Sequence, residues 1–209
     1  MKTLLDLENW NRKEHFLFFK QMEEPFFGLT VEIDCTKAYA TAKDLKTSFF
    51  VYYLHKTMVA VNTIEAFRYR IMDESICIYD TIDVSATIMR ADHTFGFSLI
   101  PYSPDFDVFA ANAFSEIERI QNTAGLFTRA FPLDNLIHFS AIPWVNFTAL
   151  SHSRSYTFPD SCPKISFGKM TIAADGKRTM PMSIHAHHGL MDGYHVGQFV
   201  DCFQELMNQ

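Results

Sequence analysis

Apolar residues along this chain recur with two periods, and the places where one period gives way to the other outline the fold. In FFGLTVEIDC (26–35) apolar and polar positions alternate, which predicts a strand with one buried face. Through TSFFVYYLHKTMVAVN (47–62), Phe50, Tyr53, Leu54 and Met58 recur at three- and four-residue spacing and predict a long buried helix. A shorter helix is expected in NRKEHFLFFKQM (11–22). RYRIMDESICIYD (68–80) and DVSATIMRADHTFGFSLIPY (83–102) each hold two short alternating runs about a polar turn, DES and RADH, and predict hairpins. Helical spacing returns at 105–122, where Phe106, Phe109, Ala113, Ile117 and Ile120 share a face and Asp105 or Asp107 can cap the first turn. Strand-like runs follow at 135–142, 164–172 and 180–188. The last segment sets Val196, Phe199, Phe203 and Leu206 on one helical stripe, expected to dock on the sheet.

Hairpins, separated strands and three or four helices without strict alternation predict a two-layer α/β sandwich. Its mixed β-sheet packs against helices, unlike a doubly wound parallel sheet. No repeat, low-complexity tract or linker interrupts residues 1–209, so a single domain with one core is expected. Neither G-x-G-x-x-G nor a P-loop occurs.

Composition then removes whole classes of function. A formal net charge of −6 supplies no field to attract a phosphate backbone, so no nucleic-acid partner is expected. No 18-residue apolar run exists, and Asp6 and Glu8 interrupt the start before a signal-type apolar stretch forms; a cytoplasmic chain without membrane attachment is the expectation. Cys35, Cys77, Cys162 and Cys202 are scattered without a C-x-x-C pair, which points to reduced thiols rather than a zinc ribbon or disulfide framework. The 21 Phe and 8 Tyr mean a bulky core and also suit a flat apolar ligand pocket.

Candidate chemistry concentrates in HAHHGLMDGYH (185–195), which holds four of the nine histidines. Strand alternation puts Ser183, His185 and His187 on one face and Ile184, Ala186 and His188 on the other. The adjacent His187 and His188 therefore diverge, an H-x-H pair supplies only two ligands, and no second Cys/His cluster completes a set; no metal is expected. His188 stands at the strand's end, at the mouth of the sheet, where a neutral imidazole is placed to take a proton from a substrate hydroxyl. A histidine satisfied by backbone carbonyls at a strand terminus is the alternative. The H-x-x-x-D spacing brings His188 and Asp192 together reliably only on a helix. Strand and turn lie between them here, so Asp192 is expected to cap a helix or meet an arginine.

HHGLMDGYHVGQF resembles the H-H-x-x-x-D-G signature of the CoA-dependent acyltransferases. NWNRKEHFLFF (9–19) and FSAIPWVNFT (139–148) are similar to the N-terminal segment and the central strand and turn of one branch, the chloramphenicol acetyltransferases. TFGFSLIPY and ISFGK follow in that family's order, so the likeness spans nearly the whole chain. The resemblance implies a two-layer α/β sandwich assembled as a homotrimer with active sites at subunit interfaces. It also implies acetyl-CoA as co-substrate, no metal, and chloramphenicol or a similar hydroxyl-bearing small molecule as acceptor. It assigns His188 as catalytic base, Ser140 as oxyanion donor, and Arg12 as the partner of Asp192. Phe19, Phe95 and Ser166 fall on acceptor-binding positions, and Trp144 and Lys169 on positions of the CoA channel.

Those residue types suit the chemistry. An alcohol attacking a thioester must lose its proton, and the developing oxyanion needs a positioned donor that brings no charge. Without its flanking motif Ser140 would read as an ordinary strand serine. ALSHSRSYTFPDSCP (149–163) departs from the family's usual apolar and asparagine-rich run, Met170 replaces a commonly aromatic residue, and His185 replaces a common Gln. The alternative reading is thus a related CoA-dependent acyltransferase with a different hydroxyl or amine acceptor. A non-enzymatic trimeric binding protein would require His188 and Ser140 to be idle.

Overall fold

In the computed structural model, which describes residues 1–130, 134–154 and 160–209, two sheets and five α-helices follow one another in a mixed order. The chain runs β1 (Lys2–Leu4), α1 (Lys13–Phe19), β2 (Phe26–Asp34), α2 (Thr36–Asp44), α3 (Phe49–Thr63) and a 3-10 turn (Glu65–Arg68). It continues through β3 (Tyr69–Met72), β4 (Ser75–Tyr79), β5 (Asp83–Met89), β6 (Phe95–Phe97) and α4 (Phe106–Gln121). Last come β7 (Leu136–Ala141), β8 (Lys164–Phe167), β9 (Thr171–Ile172), β10 (Arg178–His187) and α5 (Gly193–Met207). The main sheet has the order β2-β10-β8-β7-β5-β6, with β9 beside β10, and β1-β4-β3 form a smaller sheet. β7 runs parallel to β5 and β8 while its other pairings are antiparallel, so the sheet is mixed as expected.

Alternation decides what each face of the main sheet does. Ala86, Phe139, Phe167 and Ile184 are buried on the helical side, where Tyr53 of α3 and Phe203 of α5 bring their rings to 4.9 and 5.5 Å from Phe167. Each such side chain contributes roughly 1.5–3 kcal/mol by leaving water. The opposite face is polar. Ser140, Ser166 and Ser183 sit side by side across β7, β8 and β10, and Ser85, His138, Lys164 and His185 form the neighbouring row. A polar sheet face that is still largely buried is the surface on which a site is built.

Both hairpins form, with Asp73 (φ 53°) and His93 (φ 66°) taking left-handed turn positions. Asp105 is the cap of α4, its carboxylate accepting from Val108 N at 3.1 Å. Arg70, fully buried, ties the small sheet to β7 by donating to the carbonyls of Phe67, Tyr69 and Leu136. Two elements go beyond the periodicity reading. α2 buries only Ala38 and Ala42, too thin a stripe to register as a helical period, and β1 is three exposed residues zipped to β4. The run at 164–172 is broken: Gly168 N turns to Pro181 O and Lys169 N to Val145 O, leaving β8 and the short β9 on either side. Among the described residues no helix is long and apolar enough to cross a membrane.

Candidate active site

β10 ends at His187, and the next residue is held by backbone rather than by the ladder: His188 N donates to Pro25 O at 2.8 Å. The two adjacent imidazoles diverge as alternation requires. His187 points back under the sheet edge-on to Phe26, with a ring-centroid distance of 5.6 Å, and its Nδ1 accepts from Gly189 N at 3.1 Å. Burial, reinforced by the charge of Arg154, pushes His187 down to about 4. The half-buried His188 ring instead lies between Phe19 from the end of α1, stacked at 4.0 Å and 10°, and Phe27 of β2 at 4.6 Å. Its Nδ1 is buried and has no hydrogen-bond partner among the described residues.

Behind this ring, Arg12 is a buried clamp. One guanidinium nitrogen donates to His188 O at 3.1 Å and another to Asp192 Oδ2 at 2.5 Å. Asp192 thus meets both expectations, ion-pairing with Arg12 and capping α5 by accepting from Tyr194 N at 3.0 Å. His195 Nδ1 lies 2.9 Å from Asp192 Oδ1 and 3.3 Å from its backbone nitrogen; its tautomer selects between donating to the first and accepting from the second. Burial pushes the Asp192 carboxyl up, but His195 and Arg12 outweigh it and hold the group down at about 2. His188 makes no direct contact with this carboxylate; the connection runs through Arg12 and the backbone.

Ser140 belongs to a second station. It lines a cavity of about 660 Å³ together with Phe95, Thr87, His138, His152 and Lys164. Its Oγ lies 2.6 Å from that of the fully buried Ser166, and either can donate. Lys164 is paired with Asp160 and also donates to Cys162 O at 3.2 Å. Burial lowers His138 to about 4, with the Lys164 charge adding to it, and lowers His152 to about 4, helped by His185 and Lys164. Donor atoms of His138, Asp160 and Cys162 lie within 4.8 Å of one another, a spacing that suits a metal, but the Lys164 ammonium already occupies the carboxylate.

The expected residues therefore divide. Ser140 registers with Ser183 two strands away, and His188 lies five residues beyond Ser183, just past the end of β10, which by strand spacing alone sets the two roughly 19 Å apart. Phe19 goes with His188 and Phe95 with Ser140. Trp144, 63% exposed, precedes Val145, whose carbonyl accepts from the backbone nitrogen of the exposed Lys169. His138, His152, Asp160 and Lys164 went unassigned in the sequence. The i, i+2 spacings His138/Ser140 and Lys164/Ser166 are the signal that places two of them on the serine face. Of the divergent segment 149–163, residues 155–159 lie outside the described residues.

The family model for chloramphenicol acetyltransferase matches residues 1–204. A chloramphenicol acetyltransferase 3 of Escherichia coli is 31% identical over 207 residues, covering 99% of this chain and 97% of its own. A chloramphenicol acetyltransferase of Bacillus pumilus is 27% identical over 96% of this chain and 91% of its own. A solved chloramphenicol acetyltransferase superposes with a TM-score of 0.87 at 32% identity over 99% of this chain and 100% of its own. A dihydrolipoamide acetyltransferase of Azotobacter vinelandii, at TM-score 0.69 and 14% identity over 93% of this chain and 85% of its own, shares the fold. The chain thus belongs to the chloramphenicol acetyltransferase family.

Proposed function

We propose that this protein transfers an acetyl group from acetyl-CoA to a hydroxyl of chloramphenicol or a similar small alcohol, working as a homotrimer with each site shared between two subunits. The observation that carries this reading is that His188 stands past the end of β10, outside the lining of the Ser140 cavity. A base held between two rings and an oxyanion donor in a cavity, roughly 19 Å apart in one chain by strand spacing, become one site when the His188 edge of one copy closes the Ser140 cavity of the next.

In that arrangement His188 accepts the proton of the acceptor hydroxyl as its oxygen attacks the thioester carbonyl. Ser140 donates to the developing oxyanion, and when Ser166 donates to Ser140 the Ser140 proton is free to do so. Collapse breaks the carbon–sulfur bond, and the imidazolium returns its proton to the departing thiolate. Both substrates bind at once, no acyl-enzyme forms, and no step calls for a metal. Phe19 and Phe95 supply apolar walls from the two copies. Trp144 and Lys169, both exposed on segments joined by the Lys169 N to Val145 O bond, offer an indole face and an ammonium to the CoA nucleotide and its phosphates. A cytoplasmic setting fits the acetyl-CoA requirement.

Thiol release from acetyl-CoA, followed with and without chloramphenicol, tests the proposal. Chloramphenicol-dependent release is expected; release that ignores chloramphenicol rejects that acceptor. The second reading, a different hydroxyl or amine acceptor, is favoured by the charged groups in the cavity, and a panel of acceptors at fixed acetyl-CoA separates the two.

A further inference from the structure

Resting on the acyl-transfer reading, we propose that the deep end of the Ser140 cavity is an anion-binding subsite, and that the preferred acceptor is a hydroxyl compound carrying a carboxylate. Lys164 is only 7% exposed yet lines the cavity. Two of its three N–H donors go to Asp160 and Cys162 O, and the ammonium also lies 4.6 Å from the centre of the Phe26 ring. Next to Lys164 across the sheet stands His138, which also lines the cavity. Nε2 of His152 is buried and has no hydrogen-bond partner among the described residues. Ser161 Oγ accepts from Ile71 N at 2.9 Å, so its own proton remains to be given. Lys164, Ser161 and the two imidazoles thus bring N–H and O–H donors to this end of the cavity, beside the carboxylate of Asp160.

Lys164 and Asp160 balance in charge, and Arg70 adds one positive charge behind them. The carboxylate of Asp160 is already engaged by Lys164 and by Cys162 N at 2.9 Å. Fully buried Arg70 lies behind it, and its charge, with that of Lys164, is among the causes that lower His138. Both imidazoles are consequently neutral at pH 7 and present one N–H and one acceptor nitrogen each. A carboxylate satisfies this set, whereas an uncharged aryl substituent leaves its donors desolvated and unmet. Phe95, Phe97 and Phe127 give an apolar wall for a ring between the two ends. Two residues of β7 separate His138 from Ser140, about 7 Å, the span of an aromatic ring with a hydroxymethyl group at one end and a carboxylate at the other.

The test compares 4-(hydroxymethyl)benzoate with its neutral amide, 4-(hydroxymethyl)benzamide, as acceptors. A kcat/KM about tenfold or more higher for the carboxylate is expected; equal or lower values overturn the proposal. The double substitution Lys164→Met, Asp160→Asn removes both charges together and should erase the preference, and a preference that survives in the folded variant also overturns it. A second measurement needs only the wild-type protein. By histidine ring NMR, the titration midpoints of His138 and His152 should rise by about one pH unit with the benzoate and stay put with the amide. If neither compound releases thiol, the acceptor proposed here is overturned while chloramphenicol-dependent release tests the acyl-transfer reading separately, and the NMR titration decides the subsite: midpoints unmoved by the benzoate overturn it.

Discussion

His188 carries the proton in the proposed reaction, and its surroundings make the consequence of removing it specific. The ring is held by Phe19 and Phe27 and the backbone by Arg12, so His188→Ala takes away the base without dismantling a packed core. Its kcat should fall by roughly 10²–10⁴ with circular dichroism unchanged; retained activity would reject the mechanism. Ser140→Ala is expected to cost about 10²–10³ in kcat with little change in KM, because the hydroxyl acts on charge that develops only during reaction. Asp192 has a pH signature. Its folded carboxyl is held at about 2 against an ordinary value of 3.8, so its stabilising contribution is present above pH 3.8 and is lost as pH falls through 2. The group is one-third exposed, so the effect is about 1 kcal/mol. The stability gap between wild type and Asp192→Asn, measured by urea unfolding, should narrow between pH 5 and pH 2. His188 and Asp192 were legible because strand alternation and turn chemistry fix their directions locally. Lys164 and His152 were not, since what makes them a pair is a cavity assembled from different segments.

Most helices and strands declared themselves because each buries a stripe wide enough to impose a period. α5 is the clearest case: Val196, Phe199 and Phe203 are all buried, and Phe199 stacks on Phe67 at 4.5 Å and 24°. Phe199→Ala should cost about 3–5 kcal/mol and lower the Tm by about 10 °C in a thermal melt; a drop of a degree or two would mean the helix docks by other contacts. Elements with little to bury escaped the same reading. α2 contributes two alanines, and β1 exists only because its partner strand does. The broken run at 164–172 shows the complementary limit. Its apolar pattern continues, but Gly168 sits where a Cβ would lie 2.5 Å from Pro181 Cγ and 2.8 Å from Val145 O, and tertiary crowding sends the chain off the ladder.

At the scale of the molecule, a site divided between two copies has a consequence that one-copy enzymes lack. Purified His188→Ala and Ser140→Ala proteins should each be nearly inactive, yet unfolding and refolding them together should restore activity, since some interfaces then join an intact His188 to an intact Ser140. Mixtures that stay inactive would place both groups' work within one chain, and a monomer on sedimentation would do the same. The sequence by itself determined the layer architecture, the divergence of His187 from His188, a structural role for Asp192 as cap or arginine partner, and the family, because these rest on periods, local geometry and motifs a few residues long. Only the tertiary structure decided that Ser140, His138, Lys164 and His152 line one cavity and that His188 stands at a different edge. Strand register brings side chains from distant segments to within hydrogen-bonding reach, and register is set by the packing of the whole sheet against its helices, which no local pattern records.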